Sequence, residues 1–417
     1  MRRVAVIGSG VSGLTAAYIL SRHAHVTLYE EQERLGGHAH THTVATPAGP
    51  VRVDSGFIVH NDRTYPHLLR LFGELGIRTR DTEMSMSISD PGSGIEFAGG
   101  KGMSGFVARP RQLMSRDYLT MLGAVRRFHG VATRFLQETD DLDATTYGEF
   151  IERHRFPGPF VELYAVPLVA CVWSSGRADA LTYPARYLFR FLDHHGMLTV
   201  GNSPTWRTVV GGSATYVEAV AAQIATVHRG VAATRVARDE GRVRVSDSRG
   251  GAQVHDAVVL ATHADQALAL LADATPDEKE VLGAFRYSRN ETVLHRDGSL
   301  MPQAPRARSS WNYRVAAPDD QNGPMVTYWM NRLQGLDPAA PLYVSLNARD
   351  RIDPEQVIAV MDYRHPIFDE AAVRAQRRIP EITTGTTAFA GAYQGWGFHE
   401  DGARSGVAAA AALGVTW

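Results

Sequence analysis

The first thirty residues constrain the fold most. Residues 3–7 (RVAVI) form a short β-branched run that ends in Gly8-Ser9-Gly10-Val11-Ser12-Gly13. LTAAYILSRH continues with helical character, and HVTLYE returns as a strand that closes on Glu30, 17 residues after Gly13. A strand, glycine turn, helix and strand in this order form a dinucleotide-binding unit. Gly8 permits the tight turn, Gly10 lets the backbone approach a pyrophosphate, and Gly13 lets the helix pack close to the strand. The phosphates then meet the positive end of the helix. A carboxylate at Glu30 accepts hydrogen bonds from ribose hydroxyls and repels a 2′-phosphate, so the unit fits FAD or NAD better than NADP.

Composition narrows the partners. Lys+Arg 43 against Asp+Glu 44 gives a formal charge of -1, leaving no positive excess to hold a nucleic acid backbone. Cys171 is the only cysteine, which excludes an intramolecular disulfide, a CxxC pair and a cysteine-based zinc site. Its setting, VACVWSS, predicts an inert buried thiol. Electron transfer by this chain needs a bound cofactor. The run Val4 to Ile7 passes directly into the glycine turn, which predicts no secretory leader, and no segment reaches about 18 uncharged apolar residues. The expectation is a cytoplasmic protein, with peripheral membrane contact left open and the oligomeric state unassigned.

Past the opening unit, Arg34-Leu35-Gly36-Gly37 precedes the cluster His38-Ala39-His40-Thr41-His42 and a strand-like run, VRVDSGFIV, at 51–59. TYPHLLRLFGELGIR, at 64–78, has helical periodicity. Residues 81–204 hold helix-like stretches at 111–138 and 146–165 and read as an inserted helical cap. WRTVVGGSATYVEAV then returns to a Gly-Gly turn that opens a helix. GRVRVSDSRGG, AQVHD and AVVLATH read as a strand meander ending at His263. ETVLH, SSWNYR, MVTYWMN and LYVSLN supply a second sheet beneath the cap, and TAFAGAYQGWGFHEDGARSGVAAAAALG closes the chain as strand, glycine-rich turn and helix. The predicted class is α/β. A Rossmann-type FAD-binding domain is expected from residues 1–80, 205–284 and 371–417, interlaced with a substrate domain of mixed sheet and helical cap from 81–204 and 285–370.

Arg34, Gly36 and Gly37 resemble the RxGG element of the flavin amine oxidase and phytoene desaturase superfamily. The closing segment, with Gly391, Gly395, Gly397 and Gly402 ahead of Ser405-Gly406, resembles that superfamily's second flavin-contacting motif, where glycines allow close backbone approach. LGGHAHTHTV, VDSGFIVHNDRTYP, WRTVVGGSATYV, VVLATHADQALALL, the run from Val293 to Tyr313, TYWMNRLQGL and GFHEDGARSG extend the likeness over almost the whole chain. They resemble a bacterial family of NAD/FAD-binding flavin amine oxidoreductases. The resemblance implies FAD as cofactor. The family's association with cyclopropane or methyl-branched fatty acid enzymes implies an apolar substrate. The chain departs from the pattern at the His38-Ala39-His40 spacing and at Ala392 and Gln394, which alters the pocket lining.

The residues expected to contact FAD are Gly8, Gly10, Ser12, Gly13 and Glu30, then Arg34, Gly36, Gly37, His38, Gly56 and Phe57. Val236 in the meander and Gly391, Gly397, Phe398 and Gly402 at the close complete the set. His399, Glu400 and Tyr393 are the candidate catalytic groups. A histidine or carboxylate there can move a proton while flavin N5 takes hydride, or else serve only as a structural cap. Trp311, Tyr313 and Trp396 are expected to line the substrate pocket, with core packing as the alternative. His38, His40 and His42 alternate as metal ligands on a strand would, but the resemblance sets them near the cofactor and no metal is expected.

The superfamily's amine oxidases commonly use a lysine of the substrate sheet. The two lysines here, Lys101 and Lys279, lie in a loop and on a solvated helix, which disfavours amine oxidation. The expected activity is FAD-dependent hydride transfer at a carbon centre of an apolar acyl-chain or polyene substrate, in the manner of a desaturase. A redox-neutral double-bond isomerase, an amine oxidase and a non-catalytic flavin-bearing partner of a lipid-modifying enzyme stand as alternatives.

Overall fold

The computed structural model describes residues 1–99, 105–140, 143–198, 203–315 and 324–417. Lys101 lies outside the described residues.

The run Arg2–Ile7 is the centre of a five-stranded parallel sheet in the order 226–228, 24–29, 2–7, 257–260, 387–389. Val4 and Val6 enter one core while Ala5 and Ile7 enter another. Successive side chains point to opposite faces of a sheet, and here both faces are covered, so the strand reads as a continuous apolar run. The same logic corrects the expected meander. Ala257–Leu260, with all four side chains buried, pairs parallel with the first strand instead of joining the antiparallel ribbon. That ribbon contains only Ala233–Asp239, Arg242–Asp247 and Ala252–His255.

The C-terminal helix, His399–Ala412, lies along the first helix, Val11–Leu20. A Cβ on Gly402 would stand 2.5 Å from Val11 Cγ1, and one on Gly406 would stand 2.4 Å from Ser12 O. The missing side chains let the two backbones approach closely, which brings the opening and closing glycine turns side by side.

A seven-stranded sheet runs in the order 357–367, 286–295, 343–346, 325–329, 311–314, 86–90, 95–99. Its pairs are antiparallel except Trp311–Arg314 with Met86–Asp90. The cap rests on this sheet through a shared core in which Tyr118, Leu163 and Cys171 meet Ile88, Phe97 and Tyr313. Burial raises the Cys171 thiol pKa far above its ordinary value, as the apolar setting predicts. The helix expected at 146–165 is divided, because Arg155 adopts φ 50° and Pro157 disfavours helix in the residue before it. The run at 51–59 is divided too. Gly49–Asp54 pairs with Thr41–Thr46, whereas Val59–Asn61 joins Trp206–Val209 in a separate sheet. Among the described residues no helix is long and apolar enough to cross a membrane.

Candidate active site

The opening glycines meet three different constraints. Gly8 adopts φ +98°, and a Cβ on it would stand 2.7 Å from Ala261 O. A Cβ on Gly13 would stand 2.0 Å from Gly8 O, whereas one on Gly10 meets no atom within 4 Å. Protein closes off Gly8 and Gly13, and Gly10 opens onto space at the N-terminus of the first helix, where backbone amides and the helix dipole favour an anion. Ser12 is buried in that helix's first turn.

Glu30 stands beside this opening. Its Oε2 accepts from Ser9 N at 2.9 Å and Ser9 Oγ at 2.6 Å, and its Oε1 accepts from Gln32 N at 3.0 Å. Those bonds fix the carboxylate and leave a lone pair on Oε1 for a sugar hydroxyl. Arg34 Nη1 donates to Gly37 O at 2.7 Å and braces the second diglycine. Gly36 adopts φ +110°, and the Cβ position of Gly37 lies 3.1 Å from Gly10 Cα. Gly56 is held to the same loop, its Cβ position 2.2 Å from His38 O. Val236 is buried in the ribbon, with its carbonyl accepting from Ala272 N at 2.9 Å.

Above the turn stand several histidines. The His38 ring lies 4.8 Å from Tyr363 and 5.4 Å from His365, while His399 stacks on Phe57 at 3.7 Å. His399 Nε2 is 3.1 Å from Tyr216 Oη. These three histidines keep accessible surface although burial dominates the electrostatics of each, the combination expected of groups that line an enclosed cleft, an interior space. Burial disfavours the imidazolium and pushes His38 and His365 down to about 3, with His399 held well below its ordinary value. His40 and His42 join a hydrogen-bonded network. His40 Nδ1 is 2.9 Å from Tyr363 Oη, which is 2.8 Å from Ser55 Oγ, which is 2.9 Å from His42 Nε2. Among the described residues no group of three or more His, Cys, Asp or Glu could hold a metal ion.

The structure turns two of the catalytic candidates away from the histidines. Tyr393 folds under Gly391, is 2% exposed, and packs on Phe285 with ring centroids 4.8 Å apart. Its hydroxyl is buried without a hydrogen-bond partner, and burial holds the phenol protonated. Glu400 turns away to the helix Pro66–Leu75, accepting from His67 N at 3.1 Å and Leu68 N at 3.0 Å, with His67 Nδ1 at 2.6 Å. First-turn amides lack partners within their own helix, so a carboxylate is drawn to them. Asp401 caps its own helix through Phe398 N at 3.1 Å, and burial pushes its pKa up to about 6. Of the catalytic candidates, only His399 faces the interior space.

The closing turn is tied to the cap. Trp173 Nε1 donates to Trp396 O at 2.8 Å, and Phe398 stacks on Phe191 at 5.0 Å. Gly397 adopts φ +91°, and Gly391 N donates to Ser405 Oγ at 2.9 Å. Trp396 itself packs on cap residues Tyr187, Phe191 and His194. Tyr313 is 7% exposed and packs within the core shared by cap and sheet. Trp311 stands edge-on to Tyr328 at 5.3 Å and is half-buried.

Asp54 was not anticipated. It is 1% exposed and accepts from Thr41 Oγ1 at 2.6 Å, Ser213 N at 2.9 Å, Ser213 Oγ at 2.8 Å and Gln334 Nε2 at 2.9 Å. It therefore joins four of the stretches that carried the resemblance, LGGHAHTHTV, VDSGF, VVGGSATY and TYWMNRLQ, which meet only in three dimensions.

A family model described as flavin containing amine oxidoreductase matches residues 11–293. AofH of Mycobacterium tuberculosis, provisionally named a flavin-containing monoamine oxidase, is 27% identical over 268 residues, 61% of this chain and 56% of that protein. This chain thus spans little more than half the length of that relative. The flavin-dependent L-tryptophan oxidase RebO of Lentzea aerocolonigenes is 31% identical over 93 residues, 22% of this chain and 20% of its own. Among solved structures, a CLA-producing fatty acid isomerase from P. acnes superposes with a TM-score of 0.71 at 17% identity, covering 97% of each chain. Cyclohexylamine oxidase from Brevibacterium oxydans superposes with a TM-score of 0.70 at 17% identity, covering 99% of this chain and 98% of its own. The fold is that of the amine oxidases and the cofactor is FAD, for which the open face of Gly10, beside Glu30, is a fitting cradle.

Proposed function

The chain belongs to the flavin-containing amine oxidoreductase family of FAD-dependent oxidoreductases, and on that premise we propose that it moves hydride at a carbon centre of an apolar substrate, an acyl chain or polyene. The observation that carries this reading is that the histidines facing the interior space are neutral and that the one charge found acting on them, that of Arg34, is cationic. His38, His365 and His399 are neutral there. Lys279, the lysine among the described residues, is exposed on the outer helix Pro276–Gly283. The nearby acids, Glu400 and Asp401, are committed to helix ends. A cationic amine would lose water there without gaining a counter-charge, whereas an apolar chain carries little such penalty.

Bound FAD supplies the hydride acceptor or donor. The chain's own part is to bind, orient and exclude water. Glu30 and the opening turn hold the nucleotide, and Arg34 braces Gly37 against Gly10. Trp173, Trp396 and Phe398 join the cap to the closing turn and keep the interior dry. Neutral His399, with Nε2 against Tyr216, is the group that would hold a proton. The same reading assigns residues 1–80, 205–284 and 371–417 to FAD binding and 81–204 and 285–370 to the substrate.

Amine oxidation is the second reading, favoured by the family match and by the name given to AofH. Anaerobic titration of the purified flavoprotein, followed by its visible spectrum, separates the two. Bleaching by bacterial lipid extract supports the first reading, and bleaching by an amine panel overturns it. A product of unchanged mass that forms only after prior flavin reduction would point to double-bond isomerisation, consistent with the likeness to the fatty acid isomerase.

A further inference from the structure

His365 lies on the edge strand Val357–Ile367 and shares a face with Tyr363. It stands between the two glycine motifs. Its ring is 5.4 Å from His38, the residue that follows Gly37. Its chain neighbour Pro366 abuts the closing turn, where the Cβ position of Gly397 is 3.3 Å from Pro366 Cγ and 3.2 Å from Phe368 Cε2. The proposed reaction above counts His365 among the neutral groups but gives no group on this strand a chemical role.

The proton on this imidazole can be located by elimination. Pro324 O can only accept, so the Asn347 atom 3.1 Å from it is the amide nitrogen Nδ2. That same Nδ2 lies 2.8 Å from a side-chain atom of Asn290, which must be the acceptor Oδ1. Asn290 Nδ2 is therefore the atom 3.0 Å from His365 Nδ1, and it donates. Nδ1 accepts, so the neutral ring carries its proton on Nε2. Asn347 is itself anchored, with φ 54° and its amide donating to Glu291 O at 2.8 Å, and Asn290 is 1% exposed. The ring's hydrogen bond among the described residues is the one at Nδ1, which leaves Nε2 without one, and His365 is only partly buried.

We propose that His365 presents a fixed Nε2–H donor to the flavin ring system held between the two glycine motifs, and that Asn290, locked by Asn347, is the positioning residue that sets this tautomer. The proposal rests on the flavoprotein reading. A hydrogen-bond donor favours the electron-rich, reduced state of the ring, and a neutral imidazole does so without adding a charge to an apolar site. The consequence is a raised midpoint potential.

The test needs no substrate. Ring ¹⁵N shifts of histidine-labelled protein, with His365 assigned by difference against His365→Phe, are expected to show Nε2 protonated with or without FAD. Asn290→Leu removes the lock and is expected to give both tautomers. With flavin occupancy intact, His365→Phe is expected to lower the midpoint potential by about 30 mV or more, tenfold in the two-electron equilibrium constant. His365→Gln, which restores an N–H near the Nε2 position, is expected to recover it. A wild-type proton on Nδ1, or a His365→Phe potential equal to wild type at full occupancy, overturns the proposal. If Asn290→Leu does not fold, Asn347→Ala takes its place, and an unchanged single tautomer in that variant overturns the positioning role. Protein that binds no FAD overturns the flavoprotein reading instead, while the apoprotein tautomer still tests the role of Asn290.

Discussion

The Glu400 carboxylate accepts the Leu68 amide at 3.0 Å, joining the C-terminal helix to the first turn of a helix more than three hundred residues earlier. Charge-assisted bonds of this kind contribute roughly 1.5 to 3 kcal/mol each, and removing the acceptor leaves first-turn amides unpaired. Glu400→Ala is expected to cost about 2 kcal/mol of stability. Flavin bound to the folded variant should keep its wild-type spectrum and reduction rate. Urea unfolding measures the first, and a reduction rate lowered a hundredfold would return Glu400 to the catalytic candidates.

Gly10 and Gly13 should fail differently. A Cβ at Gly10 meets open space, so Gly10→Val should fold with wild-type circular dichroism and lose FAD, because the side chain fills the phosphate position. Gly13→Val would force a Cβ to 2.0 Å from Gly8 O and should not give stable protein. Full flavin occupancy in Gly10→Val would show that the phosphates lie elsewhere.

Acid should destabilise the protein through its histidines. His38, His40 and His365 are pushed down to about 3, and His60 and His263 to about 4, chiefly by burial. As pH falls below about 6.5, the unfolded chain binds protons that the folded chain refuses, so stability falls through the window from 6.5 toward 4. Asp54 and Asp401, pushed up to about 6, act in the opposite sense but are fewer. His60 is fully buried with both ring nitrogens unpartnered, so His60→Leu should stabilise the protein by about 1 to 3 kcal/mol at pH 7. It should also flatten the pH slope by about 1.4 kcal/mol per unit. Denaturant melts at pH 7, 6 and 5 read both effects.

Tyr393→Phe removes a buried hydroxyl that has no partner. Stability should stay equal or rise by up to about 1 kcal/mol, with flavin content and reduction rate unchanged. A reduction rate lowered tenfold or more would show that the phenol reaches the reaction after all.

The amino-acid sequence alone determined the opening βαβ unit, because its strand, turn, helix and acid are consecutive and each is set by backbone sterics or short-range periodicity. The closing glycine turn was legible for the same reason. Tertiary structure decided which residues meet. His38 sits in a loop, His365 on an edge strand and His399 at a helix start, and no local pattern pairs them. Asp54 and Ser213 are 159 residues apart in the chain, yet they share a buried hydrogen bond. Tyr393 and Glu400 lie in the closing segment beside His399, but one turns into the core and the other to a neighbouring helix end. The segment's position is set by its glycines, whereas each side chain's direction is set by whichever remote surface satisfies its apolar area or its charge, and that surface exists only once the chain has folded.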